Sequence, residues 1–176
     1  MSLVFLLGGA RSGKTTLAVE LARKEGGPVT VIATAEPGDQ EMSERIQLHR
    51  AERPETWRTI EEPLALASAI ADVDDAHVLV IDCLTLWVAN LFARGDTDGS
   101  IEEQGKAAAA RAGSRGALTL VVSNEVGLGV VPATEVGRRY RDLLGRVNAA
   151  WADAADQAAF VVAGRLLQLR STDALL

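Results

Sequence analysis

This sequence predicts an α/β fold, a mainly parallel sheet covered by helices on both faces, on three observations. Short apolar runs alternate with longer, Ala-rich stretches of helical character. The runs are nearly continuous in Val, Leu and Ile rather than apolar–polar alternating, which is the pattern of strands buried on both faces. Strand–helix alternation of this kind lays the strands side by side in parallel. The third observation narrows the class: the first run ends in a glycine-rich turn of the form G-x-x-x-x-G-K-[ST] that opens a helix.

In chain order, strands are expected at residues 3–7, 29–34, 78–82, 118–123 and 160–162, and helices at 14–25, 39–51, 63–71, 101–112 and 133–155. The second helix ends at or before Arg53, because Pro54 disfavours α geometry in the residue preceding it. Residues 93–100, with Gly95, Asp96, Asp98 and Gly99, read as a surface loop, and Gly113, Ser114 and Gly116 as a second turn. The residues after Gly164 are expected to fray. Neither repeats nor linkers interrupt the pattern, so residues 1–176 read as one domain.

Composition sets the outer bounds. A hydrophobic share of 48% and a charged share of 24% are ordinary for a globular chain and exclude a disordered one. The net charge of -6, with dispersed basic residues, argues against nucleic acid or an anionic membrane as partner but leaves room for a local basic pocket. With Cys83 as the single cysteine, no intrachain disulfide can form, which is compatible with a reducing compartment. The first apolar run meets Gly8 without a basic leader or a cleavage-type end, so it does not read as a signal peptide. No apolar stretch approaches the roughly 20 residues that span a bilayer. A soluble, cytoplasmic protein is the expectation.

Gly8, Gly9, Ala10, Arg11, Ser12, Gly13, Lys14 and Thr15 complete the glycine-rich pattern, directly after a strand and opening a helix. The glycines let the backbone wrap closely and aim its N–H groups at a phosphate, and the helix adds the positive end of its dipole. Lys14 is placed to reach the β- and γ-phosphates of a nucleoside triphosphate, and the Thr15 hydroxyl to ligate Mg²⁺. Arg11 and Ser12 fall at the variable positions. A carboxylate partner for Mg²⁺ is expected at the C-terminal end of another apolar strand, the edge where open parallel sheets bind ligands. Asp82, closing Val78-Leu-Val-Ile, meets that requirement, although an aspartate also serves simply to end a strand. Lys14, Thr15 and Asp82 together read as a metal–triphosphate site for phosphoryl transfer rather than a simple anion nest.

Three further stretches are more polar than a fold requires. Ala33, Thr34 and Ala35 leave space at the end of the second strand, with the Thr34 hydroxyl expected beside the cradle. In the helix at 39–51, Arg45 stacks under His49 and Ile46 under Arg50 at i, i+4 spacing, with Arg53 following. On spacing alone this is a solvated histidine on a basic helix. On chemistry, a histidine near neutrality is a nucleophile toward phosphorus, and adjacent arginines stabilise the charge that develops. His77 has no such company and reads as structural. Finally, Ser123, Asn124 and Glu125 end a strand and lead into a loop with Gly127 and Gly129, which fits either a substrate lid or a glycine-rich turn with a helix cap.

Taken together these pieces resemble the bifunctional adenosylcobinamide kinase / adenosylcobinamide-phosphate guanylyltransferase family of cobalamin biosynthesis. The likeness covers nearly the whole chain: residues 8–14, 32–35, the Arg-Ile-x-x-His element within 39–53, Trp57-Arg-Thr-Ile-Glu61, Asp82-Cys-Leu-Thr-Leu-Trp-Val-Ala-Asn90, Ser123-Asn-Glu-Val-Gly and 141–148. The resemblance implies a RecA-like P-loop NTPase fold and a homotrimer. It also implies two reactions: phosphorylation of adenosylcobinamide by ATP or GTP, then transfer of GMP from GTP through a histidine to adenosylcobinamide phosphate. The nucleotidylated histidine maps onto His49. Nucleotide contacts map onto 8–15, Ala33 to Ala35, Arg50, Ala51, Glu52, Arg53, Glu61 and Asp82. A carboxylate at Glu61 can accept hydrogen bonds from the guanine ring N–H and exocyclic amine, which adenine does not offer in that arrangement. The tail through Leu176 is the one departure. The rival reading is a P-loop kinase for another small-molecule alcohol, with His49 incidental; it forms no covalent GMP adduct.

Overall fold

The computed structural model describes residues 3–38, 40–51 and 53–171, without the side chains of residues 41, 42 and 45. Its elements are β1 (Leu3–Gly8), α1 (Lys14–Glu25), β2 (Val29–Ala33), α2 (Gln40–Ala51), β3 (Arg58–Glu61), α3 (Leu66–Ala71) and β4 (Val78–Asp82). Then come α4 (Leu84–Arg94), α5 (Asp98–Gly113), β5 (Thr119–Asn124), α6 (Glu135–Ala154), β6 (Gln157–Val162) and β7 (Arg165–Leu169). The strands form one seven-stranded sheet in the order β3-β2-β4-β5-β1-β6-β7. Every neighbouring pair is parallel except the β6–β7 hairpin.

Both faces of the central strands are apolar because both are covered. Val78 and Val80 of β4 pack with Leu6, Val31 and Val122 beneath α1, where Ala18 and Ala22 let the helix lie close. Leu79 and Ile81 point the other way, with Phe5, Ile32 and Val121, beneath α3 to α6. That layer is fixed by helical stripes: Leu84, Trp87, Val88 and Leu91 on α4, and Leu143, Val147 and Trp151 on α6. All seven are at most 1% exposed, and each such side chain contributes roughly 1.5–3 kcal/mol by leaving water. Gly105 lets α5 pass close to α6, since a Cβ there would touch Val147 at 3.4 Å.

Several expectations need correction. The loop expected at 93–100 shrinks to residues 95–97: Gly95 (φ 95°) ends α4, and the Thr97 hydroxyl accepts the Ser100 N–H to start α5 at once. The helix expected from 63 begins only at Leu66, because the Glu62 carboxylate accepts the N–H groups of Leu64 and Ala65 and holds a turn there. Directly after Gly164 the chain does not fray. Ala163 and Gly164 adopt positive φ, the geometry of a tight hairpin, and β7 pairs with β6 from Arg165 to Leu169. Residues 172–176 and Asp39 lie outside the described residues. The elements β3 and α4 were not expected at all.

Candidate active site

The turn after β1 is built against its neighbours. Gly8 is level with Asn124 of β5 and Val161 of β6, and a Cβ on it would lie 2.4 Å from the Val161 carbonyl oxygen. Only glycine fits. Arg11 and Gly13 take the left-handed conformation, with φ of 55° and 96°, which curls the turn over the start of α1. The β6–β7 turn braces the same loop, its Gly164 N–H donating to the Ser12 carbonyl at 2.9 Å. Lys14 is buried, and its Nζ donates to the Gly9 carbonyl at 2.6 Å and lies 3.3 Å from Ser12 Oγ.

Beside this turn, at the C-terminal ends of the strands, lies a cavity of about 520 Å³. The register makes it: Ala33 of β2 is level with both Glu61 of β3 and Asp82 of β4, so three strand tips converge on one rim. Asp82 Oδ2 accepts from Arg53 Nη2 at 2.8 Å in a mostly buried pair, with side chains 11% and 7% exposed. His49 Nδ1 sits 3.9 Å from the same oxygen and, enclosed there, has no hydrogen-bond partner among the described residues. Arg50 pairs with Glu61 at the more exposed rim.

Arg11, Ser12, Gly13, Lys14, Thr15, Ala33, Ala35, His49, Arg50, Arg53, Glu61 and Asp82 therefore line one cavity. Gly8, Gly9, Ala10 and Ala51 do not line it. Thr34 is a correction. It is fully buried, and its hydroxyl donates to the Cys83 carbonyl at 2.7 Å and accepts the Cys83 N–H at 2.9 Å, turned away from the cavity. Glu52 and the side chain of Arg45 lie outside the described residues. His77 is structural as read, hydrogen-bonded to Thr30 Oγ1 at 2.9 Å. Glu125 closes its own turn, taking the Gly127 N–H on its carboxylate and donating its N–H to Gly8. Sequence reasoning missed Cys83 and Leu86 as wall residues, and had Asn124 only as part of a polar strand end leading into a candidate lid. Leu86 belongs to the unrecognised α4, whose i, i+3, i+4, i+7 apolar spacing was the available signal. Among the described residues no helix is long and apolar enough to cross a membrane, and no three His, Cys, Asp or Glu side chains cluster as metal ligands.

A strand–turn–helix cradle on a central parallel strand, with a carboxylate at the tip of the next strand but one, defines a P-loop NTPase fold of RecA-like type. The RadB recombinase shares it at a TM-score of 0.51 and 20% identity, covering 90% of this chain and 73% of that one. So does a KaiC-like protein of Pyrococcus horikoshii OT3, at a TM-score of 0.51 and 16% identity over 90% and 70% of the two chains. Within that class the sequence is more specific. Residues 4–169 match the model of the cobinamide kinase / cobinamide phosphate guanyltransferase family, and the chain belongs to that family of enzymes. It is 45% identical to the bifunctional adenosylcobalamin biosynthesis protein CobP of Pseudomonas aeruginosa, over 94% of this chain and 95% of the relative. It is 37% identical to the corresponding CobU protein of Escherichia coli, over 92% and 96%.

Proposed function

We propose that this single catalytic domain carries out both reactions of its family in the one cavity, phosphorylating adenosylcobinamide with ATP or GTP and then converting its phosphate to adenosylcobinamide-GDP. The observation that carries the reading is that His49, with Arg50 and Arg53, faces the same cavity as the phosphate cradle. In the first reaction the aminopropanol hydroxyl attacks the γ-phosphorus of a triphosphate held by the turn at 8–15. In the second, His49 forms an N–P bond to the α-phosphorus of GTP, the bond to the α–β bridging oxygen breaks, and pyrophosphate leaves. A phosphate oxygen of adenosylcobinamide phosphate then attacks that phosphorus, and the electron pair of the P–N bond returns to the imidazole.

With Nδ1 enclosed beside Asp82, Nε2 is the nitrogen available for attack, and the carboxylate 3.9 Å away offsets positive charge on the guanylylated ring. Arg50 and Arg53 stabilise charge building on the α-phosphate oxygens. Glu61, oriented by Arg50, reads guanine. The Thr15 hydroxyl and Asp82 carboxylate are hard oxygen donors from two residues lining the same cavity, a donor set that fits Mg²⁺ carried in with the triphosphate. The ion would neutralise charge on the departing phosphates. We place the enzyme in the cytoplasm, as a homotrimer with no nucleic-acid or membrane partner.

The test uses GTP labelled at the α-phosphate, with intact mass measurement. The wild-type chain gains the mass of one GMP in an acid-labile, alkali-stable linkage, as a phosphoramidate requires. His49→Ala and His49→Asn lose the adduct and guanylyl transfer but still phosphorylate adenosylcobinamide. Labelled His49→Ala protein would place the nucleophile elsewhere and refute this role for α2.

A further inference from the structure

A buried polar network holds one residue to which the reactions above give no task. Thr85 of α4, Ser123 of β5 and Asn148 of α6 are 9%, 0% and 4% exposed, in a core built mainly of apolar side chains. The Asn124 N–H donates to Thr85 Oγ1 at 2.7 Å, and the Asn124 carbonyl accepts from Asn148 Nδ2 at 3.2 Å. Ser123 Oγ donates to Asn148 Oδ1 at 2.7 Å, and the Tyr140 hydroxyl donates to the Thr85 carbonyl at 2.9 Å. Buried polar groups carry a desolvation cost that only full satisfaction offsets, and a satisfied network rigidifies what it holds. Ending a strand needs none of this. What the network achieves is a backbone at Asn124 clamped from both sides.

The place is informative. Strand β5 lies between the cradle strand β1 and the Asp82 strand β4. Asn124 is level with Gly8, while Val122, two residues earlier, is level with Asp82. The side chain of Asn124 therefore stands on the cavity wall between cradle and carboxylate. Its two described hydrogen bonds both use its backbone, which leaves its side-chain amide without a partner among the described residues.

We infer that the Asn124 side-chain amide donates a hydrogen bond to the γ-phosphoryl group as it passes to the substrate hydroxyl, an inference that rests on the kinase reaction proposed above. In that step the hydroxyl oxygen bonds to the γ-phosphorus and the bond to the β–γ bridging oxygen breaks. The nucleoside diphosphate keeps that electron pair, and the hydroxyl proton is released to water. Charge spreads over the equatorial oxygens of the transferred group, where a fixed neutral donor stabilises it with no reorganisation and without pairing to Asp82. Guanylyl transfer breaks a bond at the α-phosphorus instead, and the γ-phosphoryl leaves unchanged inside pyrophosphate. The contact therefore serves the two reactions unequally.

The experiment compares wild type, Asn124→Ala, Asn124→Ser and Asn124→Asp with ATP or GTP and adenosylcobinamide, alongside adduct formation from α-labelled GTP. Asn124→Ala lowers the kinase kcat about 10²-fold, the value of one preorganised donor, with the nucleotide KM and the adduct rate changed less than about threefold. Asn124→Ser, which keeps a donor, recovers part of the kcat. Asn124→Asp, which matches the shape but brings a negative charge and no N–H, falls below Ala. A merely structural asparagine would lower the melting temperature and both reactions together, and that result overturns the inference. So does an Asn124→Ala kinase within about threefold of a working wild type. Absence of kinase turnover in the wild-type chain would instead overturn the proposed reaction, and the inference with it.

Discussion

Substituting Gly8 by alanine tests whether the cradle is held by the packing of β1 against β6. The added Cβ would meet the Val161 carbonyl oxygen at 2.4 Å, Ser12 Oγ at 3.0 Å and the Val161 carbonyl carbon at 3.2 Å. An unstrained contact needs roughly 3.5 Å, so the strands must part by about 1 Å at the mouth of the cradle. The obstacle is backbone at a paired register position, Gly8 against Val161, and cannot swing aside like a flexible side chain. Overpacking of this kind costs about 1–3 kcal/mol, and at roughly 2–4 °C per kcal/mol the melting temperature falls by about 2–12 °C. A displacement of about 1 Å in a positioning group costs on the order of 10² in rate, so kinase turnover falls further than stability alone would suggest. Gly9→Ala is the control for stability: its Cβ meets no described atom within 4 Å, and the nucleotide-free melting temperature stays put. Thermal melting of the two variants without nucleotide, with kinase turnover of Gly8→Ala, decides the matter. If Gly8→Ala melted and turned over like wild type, the cradle is not held in this way.

Glu61→Ala should weaken GTP about tenfold or more while leaving ATP nearly unchanged, the worth of one paired polar contact to the base, and nucleotide competition binding measures it. Equal losses for both nucleotides would remove Glu61 from base reading. Arg115 acts on stability alone: buried, it donates to the carbonyls of Val73 and Asp74 at 2.9 Å and His77 at 2.8 Å. Arg115→Met strands those carbonyls, and calorimetry should show a loss of about 3–5 kcal/mol with both reactions intact well below the melting temperature. The Arg94 guanidinium, with Gln104, holds the Asp96 carboxyl down at about 2. A carboxyl depressed on folding contributes stability above its unfolded value of 3.8 and loses it as pH falls toward 2, so Asp96→Asn should flatten denaturation profiles across that window.

The strands that carry the site were legible because burial on both faces leaves an unmistakable apolar run, and the cradle because its glycines answer a steric demand. Other elements lacked such a signature. The α4 segment 84–94 carries helical apolar spacing, but it follows β4 after one residue and further apolar residues on its other sides, where it is wedged between the sheet, α5 and α6, mask that period. Strand β3 is a short edge with Ile60 as its one apolar residue, so the arrival of Glu61 at the rim came through family likeness and not through pattern. Thr34 misled because a hydroxyl at a strand end suggests a ligand. The two-residue parity of the strand puts Ala33 and Ala35 on the cavity and sends Thr34 into the core. Asn124 needed the sheet order, since only β5's place between β1 and β4 gives its amide a target.

The cradle and the candidate nucleophile are held by different forces. The turn at 8–15 is locked into the sheet by the Gly8–Val161 contact and the Gly164–Ser12 hydrogen bond. By contrast α2 buries none of its described side chains, where α6 buries five. Its described ion pairs to the body lie at or just beyond its C-terminal end, Arg50 with Glu61 and Arg53 with Asp82. The first is exposed and worth little; the second is nearly dry, and removing either partner would strand a buried charge. The carboxylate His49 faces is thus the one that anchors its helix. On the proposed reading a triphosphate and its Mg²⁺ address these same arginines and carboxylates, so nucleotide binding acts directly on the groups that set where His49 stands. A site that cuts one triphosphate at the γ-phosphorus and another at the α-phosphorus needs a rigid seat for the phosphates and a nucleophile whose placement answers to the nucleotide. Packing supplies the first and charge the second.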